Sequence, residues 1–170
     1  MSGEVLVRVA GLRVHFGQVR AVDGIDFEVR AGECLALVGE SGSGKTVASR
    51  ALLGLVPSAG EMTADVLEIG GEDARAFDER RWQRLRGRVV GLVAQDALVS
   101  LDPLRTIGRE VAEVLEVQSR REGVRLSRAA VDQAVTDELS RVAMPRPDHR
   151  TRQYAHELSG GLRQRALIAS

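Results

Sequence analysis

The run Gly39-Glu40-Ser41-Gly42-Ser43-Gly44-Lys45-Thr46 sets glycines, hydroxyls and one ammonium in the order Gly, four residues, Gly, Lys, Thr. That spacing is the pattern of a loop that cradles phosphates. With no Cβ in the way, successive backbone N–H groups turn inward, and a helix starting at the loop's end adds its partial positive charge. Lys45 is then placed to reach β- and γ-phosphates, and the Thr46 hydroxyl to ligate Mg²⁺. The plain alternative is a glycine-rich turn with no ligand. Composition speaks against it, because Lys45 is the only lysine among 24 Lys and Arg residues. A crowded triphosphate site accommodates a compact ammonium better than a forked guanidinium. A general drift towards arginine explains the arginines but not the exception.

Such a loop needs a strand before it and a helix after it. Cys34-Leu35-Ala36-Leu37-Val38 is a short continuous apolar run of the kind a strand buried on both faces shows. Val47, Ala48, Ala51, Leu52 and Leu55 recur at intervals of three and four, which predicts the helix, and Pro57 and Gly60 close it. Upstream, Val5 to Val9 and Leu12 to Phe16 read as strands, and Ile25, Phe27 and Val29 alternate with Asp26, Glu28 and Arg30 in a third. An antiparallel layer therefore precedes a parallel one. Phe16, at a strand end ahead of Gly17, is either a core residue or a ring that stacks on a nucleotide base.

Downstream, Asp65 to Ile69 predicts another strand, and Asp78 to Arg86 a short charged helix with Trp82 and Leu85 turned inward. Val89, Val90, Leu92 and Val93 read as an apolar strand that delivers Gln95 to its end, where ligands sit in open α/β sheets. Two helices follow. Thr106 caps the first, with Ile107, Val111, Val114 and Leu115 on one face; Ser127 caps the second, with Val131, Ala134, Val135, Leu139 and Val142. Pro145 and Pro147 end this insert. In the closing stretch, Ser159 stands where a helix cap belongs, and Gly160 and Gly161 leave the first N–H groups open to an anion.

With 170 residues and 44% hydrophobic content, the chain has room for one domain with a sizeable core, with or without a subdomain. Its formal charge is zero with the signs interleaved, and aromatics make up 3%, which argues against a nucleic-acid partner. Cys34 is the only cysteine, so it forms no disulfide within the chain and reads as a small core residue. No apolar run approaches the length of a membrane span, and the reading is a cytoplasmic, soluble chain.

Together the motifs resemble the nucleotide-binding subunit of an ATP-binding cassette (ABC) transporter along the whole chain. Gly39 to Thr46 matches Walker A, Gln95 the Q-loop glutamine, Leu158-Ser159-Gly160-Gly161 the signature motif, and Phe16 the aromatic that stacks on adenine. The stretches Ser100 to Gly108 and His156 to Arg165 are similar to ATPases of dipeptide and oligopeptide importers, and related importers of nickel or other solutes share them. Ala94 and Ala97 depart from the aromatic and proline that commonly flank the glutamine, which bears on the membrane partner rather than the nucleotide.

The resemblance implies an α/β fold: a P-loop NTPase core with an N-terminal antiparallel β-layer, a helical subdomain inserted after the Q-loop, and later core strands missing. Residues 1–96 would be the nucleotide-binding core, 97–158 the helical subdomain, and 159–170 the signature motif with the start of its helix. It implies ATP and Mg²⁺ as ligands. Phe16, Gly39, Glu40, Ser41, Gly42, Ser43, Gly44, Lys45 and Thr46 would hold one ATP. Ser159, Gly160 and Gly161 would reach the γ-phosphate of an ATP held by a second such subunit. Thr46 and Gln95 would serve the metal, and Lys45, Gln95 and Ser159 catalysis. The implied partners are that second subunit, as homo- or heterodimer, integral-membrane permeases and, indirectly, a solute-binding protein. The implied place is the inner face of the membrane.

The family carries Walker B, a catalytic Glu and a switch His beyond the signature helix, whereas Ser170 is the last residue given. The chain is therefore read as a fragment that binds ATP weakly and hydrolyses it poorly, with uncovered sheet edges. Two other readings remain: a non-transport ATPase of the superfamily, and an ATP-binding remnant without turnover.

Overall fold

In a computed structural model that describes residues 3–86, 88–94, 100–121 and 123–170, the alternating residues at the N-terminus form one long strand, β1 (Val5–Phe16). The sequence predicts two strands here because the apolar parity changes, from Val5, Val7 and Val9 to Leu12, Val14 and Phe16. A bulge accounts for that change. The register with β2 (Val19–Arg30) shifts between Val9 and Leu12, so both apolar sets meet the same core. Gly11 occupies the bulge at φ +60°; its N–H donates to the Asp26 carboxylate at 2.5 Å, and a Cβ there would lie 1.9 Å from an Asp65 oxygen. The hairpin between β1 and β2 turns at Gly17-Gln18, with positive φ at the glycine as such a loop requires.

On its other edge β1 pairs antiparallel with β3 (Glu61–Thr63) and with β4 (Val66–Ile69), and β5 (Glu72–Asp73) extends the sheet beyond β4. Val9, Leu12, Val14, Leu67 and Ile69 are buried under it. Against this core lie Ala48 and Ala51 of α1 (Lys45–Ala51) and Trp82 and Leu85 of α2 (Glu79–Leu85). As its charge pattern predicts, α2 has a solvated face, and the Asp78 side chain caps it by accepting from Arg81 N–H at 2.8 Å. Trp82 meets Phe77 edge to face, with ring centres 5.3 Å apart, and Arg81 lies over Phe77 while pairing with Glu72. Nearby, the Arg75 side chain holds the Asp73 carboxyl down to about 2.

Among the described residues, two expected strands are absent. Residues 34–38 and 91–94 have irregular backbone, and Val90 makes only an isolated bridge to Arg86. Leu35, Leu37, Val38, Val89, Leu92 and Val93 are exposed, Val38 by 93%. A strand exists through hydrogen bonds to a neighbour, and the pairings of β1 to β5 are all antiparallel and leave these runs without one. Cys34, expected in the core, is exposed for the same reason. The helix after the loop is also shorter than its periodicity suggests. It stops at Ala51, and Gly54 turns the chain at φ +63° where a Cβ would strike the Trp82 ring at 2.4 Å.

The chain divides into two compact units, residues 1–91 and 92–170. The second is helical: α3 (Ile107–Arg121), α4 (Arg128–Arg141), α5 (Pro147–Arg150) and α6 (Gly160–Ala169). Ile107, Val111, Val131, Val135, Leu139, Leu158 and Ala166 form its core, whereas Val114, expected there, is exposed. Ser127 caps α4 by accepting from Ala130 N–H at 3.2 Å.

Candidate functional site

The loop from Gly39 to Thr46 ends in the first turn of α1, and left-handed glycines shape it. Gly42 has φ +84° and Gly44, at the helix N-cap, φ +88°. A Cβ on Gly44 would stand 2.0 Å from the Ala21 carbonyl oxygen, so the loop seats against β2 only because that residue is glycine. The helix N–H groups that begin at Lys45 have no carbonyl one turn back to receive them, and no acidic side chain occupies the first turn. Anion-binding character thus follows from backbone geometry.

Lys45 closes the loop on itself. Its ammonium donates to the carbonyls of Gly39 at 2.8 Å and Glu40 at 2.6 Å, and to the Ser43 hydroxyl at 3.3 Å. The cation is thereby held above the loop rather than extended into solvent. The Thr46 hydroxyl is exposed and has no hydrogen-bond partner among the described residues, so its oxygen is free for a metal. The described residues contain no cluster of three His, Cys, Asp or Glu side chains able to hold a metal. A single exposed hydroxyl oxygen fits an ion that takes its other ligands from phosphate oxygens and waters, as Mg²⁺ does.

Phe16 ends β1 opposite Val19, half-buried, with its ring edge beside Gly60, where a Cβ would lie 2.6 Å away. It therefore packs against the core of the first unit. Gln95 lies outside the described residues, as do Asp96 and Ala97.

In the second unit the Leu158-Ser159-Gly160-Gly161 run divides its labour. Leu158 is buried, anchoring the segment, whereas Ser159, Gly160 and Gly161 are exposed at the start of α6. Ser159 occupies the N-cap position, but its hydroxyl caps no N–H, contrary to the expectation from its type. The hydroxyl and the first amides of α6 thus face outward together, and a Cβ at either glycine would meet nothing within 4 Å. Arg163 fixes the turn by donating to the Ala155 carbonyl at 2.7 Å.

Sequence reasoning missed Glu110 of α3. Its Oε1 is buried with no hydrogen-bond partner among the described residues. Burial pushes the carboxyl above the usual glutamate range; the Arg105 charge and a backbone hydrogen bond from Asp102 oppose the shift, and the carboxylates of Asp102 and Glu113 add to it. A glutamate at a solvated helical position carries no signal of this in sequence.

A strand layer, a glycine loop and the helix it feeds define the class: an α/β protein of the P-loop NTPase fold. Solved cassettes share it. The dimeric bacterial ABC transporter cassette MJ0796 superposes with a TM-score of 0.79 at 21% identity, covering 96% of this chain and 67% of that one. CbiO1 of Clostridium perfringens, part of the transporter complex cbiONQ, gives 0.71 at 20% identity, covering 98% and 60%.

Residues 22–170 match the ABC transporter family, and the chain belongs to it. It is 40% identical to the dipeptide transport ATP-binding protein DppD of Escherichia coli, over 96% of this chain and 50% of that protein. To the oligopeptide transport ATP-binding protein OppD of Bacillus subtilis it is 36% identical, over 96% and 46%. The chain thus spans about half the length of the curated relatives it matches.

Proposed function

We propose that this chain is the ATP-binding part of a subunit that energises an ABC importer of dipeptides, oligopeptides or a related solute. The observation that carries the reading is the Lys45 ammonium folded over a loop of left-handed glycines at a helix N-terminus. The named functions of the 40% and 36% identical relatives support the solute class.

In this reading residues 39–46 hold the phosphates of one ATP. Lys45 would exchange its bonds to Gly39 and Glu40 for phosphate oxygens, and the Thr46 hydroxyl would help to hold Mg²⁺, which would supply charge neutralisation to the phosphates. Ser159, Gly160 and Gly161 present a hydroxyl and helix amides to the γ-phosphate of an ATP on a second subunit. Gln95 relays nucleotide state to membrane permeases, and Phe16 offers the uncovered part of its ring to adenine. Residues 1–96 act as the nucleotide-binding core and 97–158 as the helical subdomain.

Equilibrium binding of labelled ATP with Mg²⁺ tests the reading on Lys45→Met. Hydrogen bonds to charged groups contribute about 1.5–3 kcal/mol, so affinity should fall roughly 10- to 100-fold. Equal affinity in the variant, with its fold intact by circular dichroism, refutes it.

A further inference from the structure

We propose that Glu110 is a proton-controlled latch on the turn from Leu101 to Arg105: with its carboxyl protonated the turn stays seated on the first turns of α3, and with the carboxyl ionised the turn is released. The device lies wholly within the second unit, and the inference does not rest on the nucleotide reading.

The turn is tied down at both ends. Leu101 is buried in the helical core. At the other end Arg105 pairs with Glu113 of α3. The Asp102 carboxylate shapes the chain between them, accepting from the Leu104 N–H at 2.8 Å and lying 3.4 Å from Arg105 Nε. Glu110, one turn before Glu113, is the remaining link, since its carboxylate accepts a hydrogen bond from the Asp102 N–H. That bond uses one side of the carboxylate and leaves Oε1 buried without a hydrogen-bond partner among the described residues. In the ionised form the negative charge is shared with an oxygen that has no donor, which is costly away from water. The backbone bond favours the anion and burial opposes it, and burial has the larger effect. An ionised Glu110 is relieved by carrying Oε1 to water, which withdraws the carboxylate from Asp102 and unseats the turn.

Among the described residues, no neighbouring element supplies the missing partner. Arg105 acts on Glu110, but its guanidinium is taken by Glu113, a bond that pushes its own pKa further up. The carboxylates of Asp102 and Glu113 offset what is left of its charge. The segment 151–154 packs on the start of α3, where the Thr151 and Gln153 carbonyls receive the Gly108 and Ile107 N–H groups at 2.9 and 2.8 Å. Beside it Arg150 donates to the Gln153 side chain, and Tyr154 stacks on His156. Arg152 lines the cleft between α3 and α4 with Arg109, Arg128, Asp132 and Asp148, and Glu110 is not part of that lining. From α6, which also packs on α3, Arg163 and Arg165 donate to the carbonyls of Ala155 and Ala143. The folded-state midpoint of Glu110 lies above the ordinary 4.5, so the latch is closed below that pH and opens as pH rises through the folded midpoint.

The test is a pH titration of the whole chain by NMR, over the range in which circular dichroism at 222 nm is constant. The Glu110 carboxyl carbon should titrate above 4.5, and the Asp102, Leu104 and Arg105 amides should shift with the same midpoint. Amide protection of the turn, corrected for the intrinsic pH dependence of exchange, should fall about tenfold for each unit by which that midpoint is raised. In Glu110→Gln the amide transition should vanish and the turn stay protected at every pH. Glu116→Gln, on the same helix, should leave the transition in place. Should Glu110→Gln lose helical signal, Glu113→Gln reads the same device: it removes a like charge and frees Arg105, so the Glu110 midpoint should fall. A Glu110 midpoint at or below 4.5 overturns the proposal, as do turn amides that do not follow it. So does a transition that persists in Glu110→Gln, or an amide midpoint that follows the Asp102 carboxyl instead, which would assign the switch to Asp102.

Discussion

Gly44 joins the phosphate loop to β2, and its substitution separates backbone effects from charge effects. In Gly44→Ala a left-handed residue costs about 1–2 kcal/mol, and the new Cβ meets the Ala21 carbonyl as well. The first unit should lose at least about 2 kcal/mol in a denaturant titration followed by Trp82 fluorescence; an unchanged midpoint would show that the loop relaxes freely. Glu110 makes a different prediction. Its folded-state midpoint lies above the ordinary 4.5, so the stability tied to its protonated form is complete below that pH and lost as pH rises through the folded midpoint. Glu110→Gln keeps the shape without the charge. It should therefore melt higher than the parent at pH 7, with the gap closing below about pH 4. A gap that is constant with pH would assign the effect to packing.

At the scale of elements, the runs 34–38 and 89–93 expose apolar side chains on irregular backbone. Their amides lack the ladder bonds of β1 and β2. Hydrogen exchange should label 34–38 within seconds while residues 12–16 stay protected, and comparable protection would mean that the run is paired. Where structure was local, it was legible in the sequence. The cap at Asp78, the inward Trp82 and Leu85, the cap at Ser127 and strand β4 follow from periodicity and turn chemistry over a few residues. The bulge at Gly11 looked like a strand break, because a parity change and a chain end leave the same trace in alternation. The run 34–38 misled for the opposite reason: apolar content records what a segment buries only when a partner lies alongside. For the site, residue types marked the loop and the exposed glycines of the signature run. They could not show that Lys45 bonds its own loop or that Ser159 leaves its helix uncapped, since both depend on side-chain direction.

For the whole molecule, the division at residue 91 predicts two separable reports of unfolding. Trp82 is the only tryptophan and belongs to the first unit, whereas most helical residues belong to the second. Tryptophan fluorescence and circular dichroism at 222 nm should therefore trace different midpoints. Saturating Mg-ATP should raise the fluorescence midpoint more, since ligand at about 100 times its Kd stabilises what it binds by ~2.7 kcal/mol. Coincident curves that shift together would mean that the units unfold as one. The exposed thiol of Cys34 has a practical consequence for the same question. It is unique in the chain and opens the uncovered run that leads into the phosphate loop, so a maleimide dye attaches at one defined place without mutagenesis. The speed of that tagging would report whether a companion polypeptide has come to lie over the run.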